Sequence, residues 1–453
     1  MKIAAVLLAA GQGTRMKSDL PKVLHPLAGK PMLWHTLQAV KQASSEKPVV
    51  IIGHGADKVS NFVGNEAVCV LQEPQLGTGH AAMQAESVLK GKSDYVIVTY
   101  ADMPLLRGET FQQLVETQKQ NTGPISMLTV IAEDPRGFGR IVRKEDDTVA
   151  AIVEEYVATP EQKAIKELNV GAYCFSADWL WEALGRIQKN PKKGEYYLTD
   201  TIELAVGDGL PVRALVHDNL VETIGINTRV HLAEAEAAMR QRINRDLMLA
   251  GVTMMDPAST YIEAGVTIGK DTLVMPNTYI QGGTTIGEGC EIGPNAHIRN
   301  SQIGDRCKVF MSVMESAHLE DDVDIGPFAR LRKGAHLMAH VHMGNFGEVK
   351  DSTLGPGVKM GHFSYIGNAK IGANTNIGAG TITCNYDGTK KYPTEIGEDV
   401  FIGSDTMLVA PLNIGARSRT GAGAVVTKDV PEDTLVVGMP ARAIRKLEKR
   451  DSD

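Results

Sequence analysis

Aromatic residues are scarce in this chain of 453 residues, at 5%, while glycine reaches 46. That balance excludes an aromatic-rich core and suits a fold punctuated by tight turns. Cysteine is sparing too. Cys69, Cys174, Cys290, Cys307 and Cys384 are odd in number and none lies at CxxC spacing, so neither a disulfide framework nor a zinc site is expected. A reducing cytoplasm is the simplest location. Basic charge is in deficit. A net charge of -7 argues against a general nucleic-acid binder, though it leaves room for a local basic pocket around a small phosphate. Long hydrophobic runs are missing, so no membrane insertion is expected. The opening MKIAAVLLAAG has the look of a short secretory signal, but GQGTRMK follows at once, and a buried first strand feeding a glycine loop is the better reading.

What is present falls into two patterns, in a chain too long for one core. IAAVLLAA, PVVIIGH, YVIVTYAD and PISMLTVI read as buried strands, and PMLWHTLQAVKQA, HAAMQAESVLK and ETFQQLVETQKQ as helices between them. Such alternation predicts a Rossmann-like α/β domain, a mostly parallel sheet with helices on both faces, over residues 1–227. Residues 228–250 read as one linker helix ending at Gly251. From 251 to 453 aliphatic residues recur every six positions. Ile262, Ile268, Val274, Ile280, Ile286, Ile292 and Ile298 form one run, Val313, Leu319, Ile325, Leu331, Leu337, Met343 and Val349 a second, and Ile396, Ile402, Leu408 and Ile414 a third that continues to Thr420 and Val426. A period of six fits neither an α-helix nor a simple strand; it fits an all-β solenoid, a parallel β-helix with one short strand per hexapeptide. The polar stretch at residues 383–395, TCNYDGTKKYPTE, interrupts the repeat as a loop.

LAAGQGTRMKSDLPKVLH follows the first strand. Gly11 and Gly13 allow the backbone to approach phosphates, and Arg15 and Lys22 add fixed positive charge. The third glycine of a dinucleotide fingerprint and the GK[ST] of a Walker loop are both absent. Asp102, in TYADMPL, could ligate Mg²⁺ or cap a helix; Asn227, in GINTRV, reads by itself as a turn residue. The segment resembles the nucleotide-binding signature of sugar-1-phosphate nucleotidyltransferases. The resemblance implies Leu8, Ala9, Ala10, Gly11, Tyr100, Ala101 and Asp102 around the nucleotide, with Gln72, Gly77 and Thr78 facing a pyrimidine base. It also implies Gly139, Glu154 and Asn169 on the sugar, and Asp102 with Asn227 on Mg²⁺. Ala101 stands where the family usually has glycine.

Upon the repeat sit Arg332, Lys350, His362, Tyr365, Asn376, Ala379, Asn385, Tyr386, Ser404 and Ala422. This set resembles the acetyltransferase half of the GlmU family, the bifunctional enzymes that make UDP-N-acetylglucosamine, and the resemblance covers both halves in order. It implies a left-handed β-helix and a homotrimer assembled through it. It implies acetylation of glucosamine 1-phosphate by acetyl-CoA, then uridylyl transfer from UTP to N-acetylglucosamine 1-phosphate. His362 would be the general base, with Arg15 and Lys22 the catalytic cations of the other site. Arg332 and Lys350 would clamp the sugar phosphate, and Tyr365, Asn376 and Asn385 would place the sugar. Ser404 would steady the thioester, and Ala379, Tyr386 and Ala422 would line the coenzyme A path. The family's C-terminal arginine on coenzyme A is replaced by Gly438 in VVGMPAR, with Arg442 a candidate substitute. His336, His340 and His342 could be mistaken for a metal cluster, but the sequence offers them no evident acidic or cysteine partner.

Overall fold

Each residue of the first strand, Ile3–Leu8, goes in turn to opposite sides of one sheet. Ala4, Val6 and Leu8 join one apolar cluster, and Ala5 and Leu7 join the other. The two-residue period of a strand requires this division, and a sheet apolar on both faces must be covered on both. Helices Met32–Ala43 and Gly108–Lys119 cover one face through Leu33, Leu37, Phe111 and Leu114. Helices Ala177–Leu184 and Asp200–Gly207 cover the other through Leu180, Trp181, Ile202 and Ala205. The structure, a computed structural model, describes residues 1–446 except Tyr156 and Lys192.

Across the sheet the strand order is Val212–His217, Ile125–Ile131, Glu167–Ser176, Tyr95–Tyr100, Ile3–Leu8, Val49–Ile52, Val68–Leu71. All pair in parallel except Glu167–Ser176, which runs antiparallel to both its neighbours. The hairpin Arg140–Arg143 and Val149–Val153 attaches to the start of that strand. The predicted helix over HAAMQAESVLK is instead two short ones, Thr78–Met83 and Glu86–Leu89.

A helix spans Arg229–Leu249, and Gly251 follows with φ +103°. Two compact units, Met1–Met239 and Arg240–Asp453, divide within it. In the second unit the hexapeptides form three parallel sheets, each taking one strand per coil. Ile262, Ile280 and Ile298 are register partners on one of them. The fold is the parallel β-helix that the repeat implied, left-handed as the family resemblance implied. Its interior is a stack of buried aliphatic residues from Val252 to Val436.

One assignment needs correction. Val313 is 38% exposed, and the buried residue of that strand is Met314 at 0%. Corners between inward residues are one residue shorter from Ile298 to Ile303, Val309 to Met314 and Met314 to Leu319, and Asn300, Met311 and Ser316 turn them with φ near +50°. A slip of one residue in a strand exchanges its two faces, so the phase of six breaks here. The polar loop is also shorter than the sequence suggested. It leaves after Ile382–Cys384 and rejoins at Thr394–Ile396, so Thr383 and Thr394 stay buried in the coil.

Candidate functional site

The first strand ends at a cleft. Gly13, with φ +63°, turns the chain into the short helix Thr14–Met16, and a Cβ built on it would lie 2.5 Å from Lys22 Cβ. Glycine here meets both demands, a left-handed backbone and a close approach. Lys22, starting the short helix Lys22–Leu24, is thereby held over the loop. Its ammonium forms an ion pair with Asp102 and donates to Asn227 Oδ1 at 2.7 Å, and Arg15 donates to the same oxygen at 2.9 Å. Ile226 N–H donates to Asp102 O at 3.0 Å, which carries Asn227 to the end of the Tyr95–Tyr100 strand. Asp102 caps no helix, since the next one begins at Gly108 behind Arg107. The two residues expected to hold a divalent cation therefore face one positive charge together.

Two adjoining cavities flank this pair. One, of about 570 Å³, is lined by Leu8, Ala9, Ala10, Gly11, Gln72, Gly77 and Thr78. The other, of about 390 Å³, is lined by Arg15, Gly139, Glu154, Asn169 and Asn227. Tyr100 and Asp102 line both. Every expected residue of the first site reaches this cleft except Ala101. Its side chain is fully buried on the opposite side of the strand end, in the apolar cluster, so the methyl group does not narrow the cleft. Burial raises the carboxyl pKa of Glu154, and burial together with nearby Glu154 raises that of the Tyr100 hydroxyl. Tyr173 fixes Asn169, whose Nδ2 donates to the phenol oxygen at 2.8 Å. Glu195, Tyr197 and Thr199 also line the cleft and were not foreseen. They arrive because Tyr196 N–H donates to Leu76 O and Gly79 N–H to Tyr196 O, contacts across more than a hundred residues that carry no local pattern.

Asp200 follows Thr199 and is half-buried. Burial, then the charge of Glu203, push its carboxyl from an ordinary 3.8 up to about 6. A carboxyl raised in the folded state favours folding below its unfolded pKa, and that contribution is lost as pH rises through 6. Asp200→Asn cannot ionise. Discounted for remaining solvent contact, the substitution is expected to raise the thermal midpoint at pH 8 by about 2–4 °C. Melting curves at pH 4 should show the difference gone; a constant offset at both pH values would refute the assignment.

On the β-helix six of the ten expected residues lie along two rows, the first of which also takes in Gly367. Arg332, Lys350 and Gly367 follow the buried Leu331, Val349 and Ile366 on successive coils of one sheet. Arg332 donates to Glu348 Oε1 at 2.9 Å, and with Lys350 it lines a shallow cavity of about 330 Å³ that also holds Arg299 and Lys333. Lys391, unforeseen, comes from the polar loop to the side of Lys350; the close approach of its positive charge lowers the Lys350 pKa. Gly367 is a second residue missed. A Cβ on it would lie 2.5 Å from Tyr365 Oη and 2.7 Å from Asn385 Nδ2, so its bareness brings those two groups together. Asn385 donates onward to Asn368 Oδ1 at 2.7 Å. Tyr386 stands exposed in the loop, its hydroxyl donating to Gly388 O at 2.6 Å.

His362, Ala379, Ser404 and Ala422 make the other row. Each stands two positions beyond an inward residue of the same sheet, Met360, Ile377, Ile402 and Thr420, at one corner of four successive coils. Backbone bonds knit the rungs, as in Asp405 N–H to Ala379 O and Gly423 N–H to Ser404 O. His362, Ser404 and Ala422 are exposed, and Asn376 lies half-buried on the strand leading to this corner. At the chain's end Thr434–Gly438 and Ala441–Lys446 form a hairpin in which Arg442 pairs with Val437 and is exposed.

The histidines do have acidic partners, contrary to expectation. His336 meets Glu320 at 2.9 Å, His342 meets Asp324 at 3.2 Å and His340 meets Asp322 at 3.9 Å. These are separate pairs, since His336 and His342 lie on different sheets, and among the described residues no three such groups could share a metal ion. Nor, among the described residues, is any helix long and apolar enough to cross a membrane.

Residues 5–187 match the MobA-like NTP transferase domain; residues 265–300 match the bacterial transferase hexapeptide of six repeats, and 393–428 the hexapeptide repeat of succinyl-transferase. The chain is 48% identical to the bifunctional protein GlmU of Syntrophomonas wolfei over 96% of its own length and 97% of that protein. It belongs to the GlmU family. Similar relatives carrying the same name are those of Exiguobacterium sibiricum, 47% identical over 96% of both chains, and Geobacillus thermodenitrificans, 47% identical over 98% of this chain and 97% of that one. As a GlmU-family member the chain is a bifunctional transferase, a uridylyltransferase in its first unit and an acetyltransferase on its β-helix.

Proposed function

We propose that the β-helix acetylates glucosamine 1-phosphate with acetyl-CoA, and that the N-terminal cleft then joins the product to UTP, releasing pyrophosphate and UDP-N-acetylglucosamine. The convergence of Lys22 and Arg15 on Asp102 and Asn227 carries this reading. Asp102 and Asn227 present hard oxygen donors side by side and would hold Mg²⁺, with nucleotide and water oxygens completing its set. Bound there, the ion would neutralise charge on the phosphates. A phosphate oxygen of the sugar attacks the α-phosphorus of UTP, and the bond to pyrophosphate breaks on the far side. That phosphate is already ionised at neutral pH, so no general base is required; Arg15 and Lys22 stabilise the departing charge. Leu8, Ala9, Ala10, Gly11 and the main chain at Ala101 border the nucleotide, with Gln72, Gly77 and Thr78 at the base. Gly139, Glu154 and Asn169 hold the sugar.

In the second reaction the amine of glucosamine 1-phosphate attacks the thioester carbonyl. His362 removes the amine proton, and coenzyme A leaves as its thiol. Arg332, Lys350 and Lys391 hold the sugar phosphate. Tyr365, Asn376 and Asn385 place the ring, Ser404 steadies the thioester oxygen, and Ala379, Tyr386 and Ala422 border the coenzyme. Exposed Phe328, Phe346 and Phe363, the first two stacked at 5.4 Å, supply apolar surface for self-association, and the family resemblance makes that assembly a homotrimer through the β-helix. A cytoplasmic location suits these substrates.

A coupled assay tests the scheme. Glucosamine 1-phosphate, acetyl-CoA, UTP and Mg²⁺ are supplied together, and thiol and pyrophosphate are followed. Thiol should appear first, with pyrophosphate dependent on it. Pyrophosphate without acetyl-CoA, at the full rate, would overturn the order.

A further inference from the structure

The two cations of the N-terminal cleft stand on separate short helices, Arg15 on Thr14–Met16 and Lys22 on Lys22–Leu24. Each turn is closed by its own backbone bond, Lys17 N–H to Thr14 O at 3.2 Å and His25 N–H to Lys22 O at 3.2 Å. Such bonds fix the shape of a turn and not its distance from the other. The bare Gly13 lets the stem of Lys22 pack against the start of the first turn. At their far ends the two turns are joined from outside, by Arg229 at the start of the helix Arg229–Leu249. Its Nε donates to the carbonyl of Met16, the last residue of one turn, at 3.3 Å. Its Nη1 donates at 3.1 Å to Nδ1 of His25, the residue that ends the other. A guanidinium has donors only, so the imidazole nitrogen is the acceptor. Burial, then the charge of Arg229, lower the His25 pKa, which keeps the ring neutral. Met16 and His25 are both buried, so each end of the bridge is seated in the interior. Seven residues on, and so on the same face of the helix, Glu236 accepts from Ala28 N–H at 2.7 Å.

We propose that Arg229 is a positioning residue for uridylyl transfer: its planar fork sets the spacing between the turns that carry Arg15 and Lys22. The proposal rests on the reading of those two side chains as the cations that stabilise the departing pyrophosphate. Arg15 and Lys22 meet at Asn227 Oδ1, and Arg229 stands two residues beyond Asn227. The tips of the two cations and the ends of their turns are therefore tied to one short piece of chain, residues 227–229. Pyrophosphate develops its charge between two positive groups, and each must already be in place when the bond breaks. A fork with fixed N–H directions holds two acceptors at a set separation, which a point charge on a flexible stem does not. Arg229 is not among the described residues that line either cavity, so it acts through the two turns rather than on a substrate.

The test is a double-mutant cycle on the full chain, read as pyrophosphate release from UTP and N-acetylglucosamine 1-phosphate with Mg²⁺. Arg229 is exposed, so its truncation opens no cavity in the core. Arg229→Ala should lower kcat by about 10–100-fold and leave the KM for the sugar phosphate near the parent value, which reports an intact cleft. Made on Lys22→Ala, where one of the two cations to be spaced is gone, the same change should cost no more than about threefold. Arg229→Lys, which keeps the charge and loses the fork, should retain most of the loss. A full loss on both backgrounds, or a parent kcat in Arg229→Lys, would overturn the proposal. So would an effect carried wholly by the KM for the sugar phosphate. A Lys22→Ala enzyme that works at the parent rate would instead overturn the reading of the cleft beneath it.

Discussion

Replacing Lys22 by alanine is expected to lower uridylyl transfer by about 10²–10³-fold and to leave acetyl transfer at the parent rate. Its ammonium is only 13% exposed at the side chain and binds Asp102 and Asn227 together. Truncation removes a fixed positive charge from a partly enclosed cleft, where such charge stabilises a developing anion better than water does. It also leaves the Asp102 carboxylate without its ion pair, and Asn227 with Arg15 alone. Arginine is a poor replacement, because a planar fork cannot take the place of a point charge between two oxygens. The loss should therefore fall on kcat and persist in Lys22→Arg in smaller measure. Thiol and pyrophosphate release on one protein sample decide the matter. Equal loss of both activities in a folded variant would sink the assignment.

The companion experiment is His362→Ala. Acetyl transfer should fall by about 10²–10⁴-fold, with uridylyl transfer from N-acetylglucosamine 1-phosphate untouched. The amine of glucosamine 1-phosphate must lose a proton as the new amide bond forms, and an imidazole accepts protons in the working range of pH. His362 is exposed at a corner, so truncation leaves no cavity in the stacked interior. The defect should appear in kcat rather than in the melting temperature. Partial rescue by raising the pH, which deprotonates the amine without help, would support the role. A variant with unaltered kcat would remove His362 from the mechanism.

Both sites were legible where chemistry coincides with local spacing. Gly13, Arg15 and Lys22 lie in one short segment, and the loop after Cys384 breaks a strict period. Local pattern fails where the chain folds back on itself. Tyr197 reaches the cleft through backbone bonds to the segment around Leu76, and Lys391 reaches Lys350 from the loop. The repeat was read correctly as a solenoid but misphased at Val313, because a corner that loses one residue exchanges faces while keeping the composition of a strand. Ala101 was placed at the nucleotide by its neighbours, although strand alternation sends its methyl group into the core.

The corner that carries His362, Ala379, Ser404 and Ala422 acts as a ruler. Successive coils are separated by the spacing of hydrogen-bonded strands, roughly 4.8 Å, so four rungs mark out roughly 14 Å along the axis. An extended ligand arm laid along that corner would meet a fresh rung at each graduation. The length of arm such a corner could take would be set by the number of coils. Lengthening the ruler takes one whole coil of three hexapeptides, and any smaller insertion must leave as a loop, as the segment between Cys384 and Thr394 does.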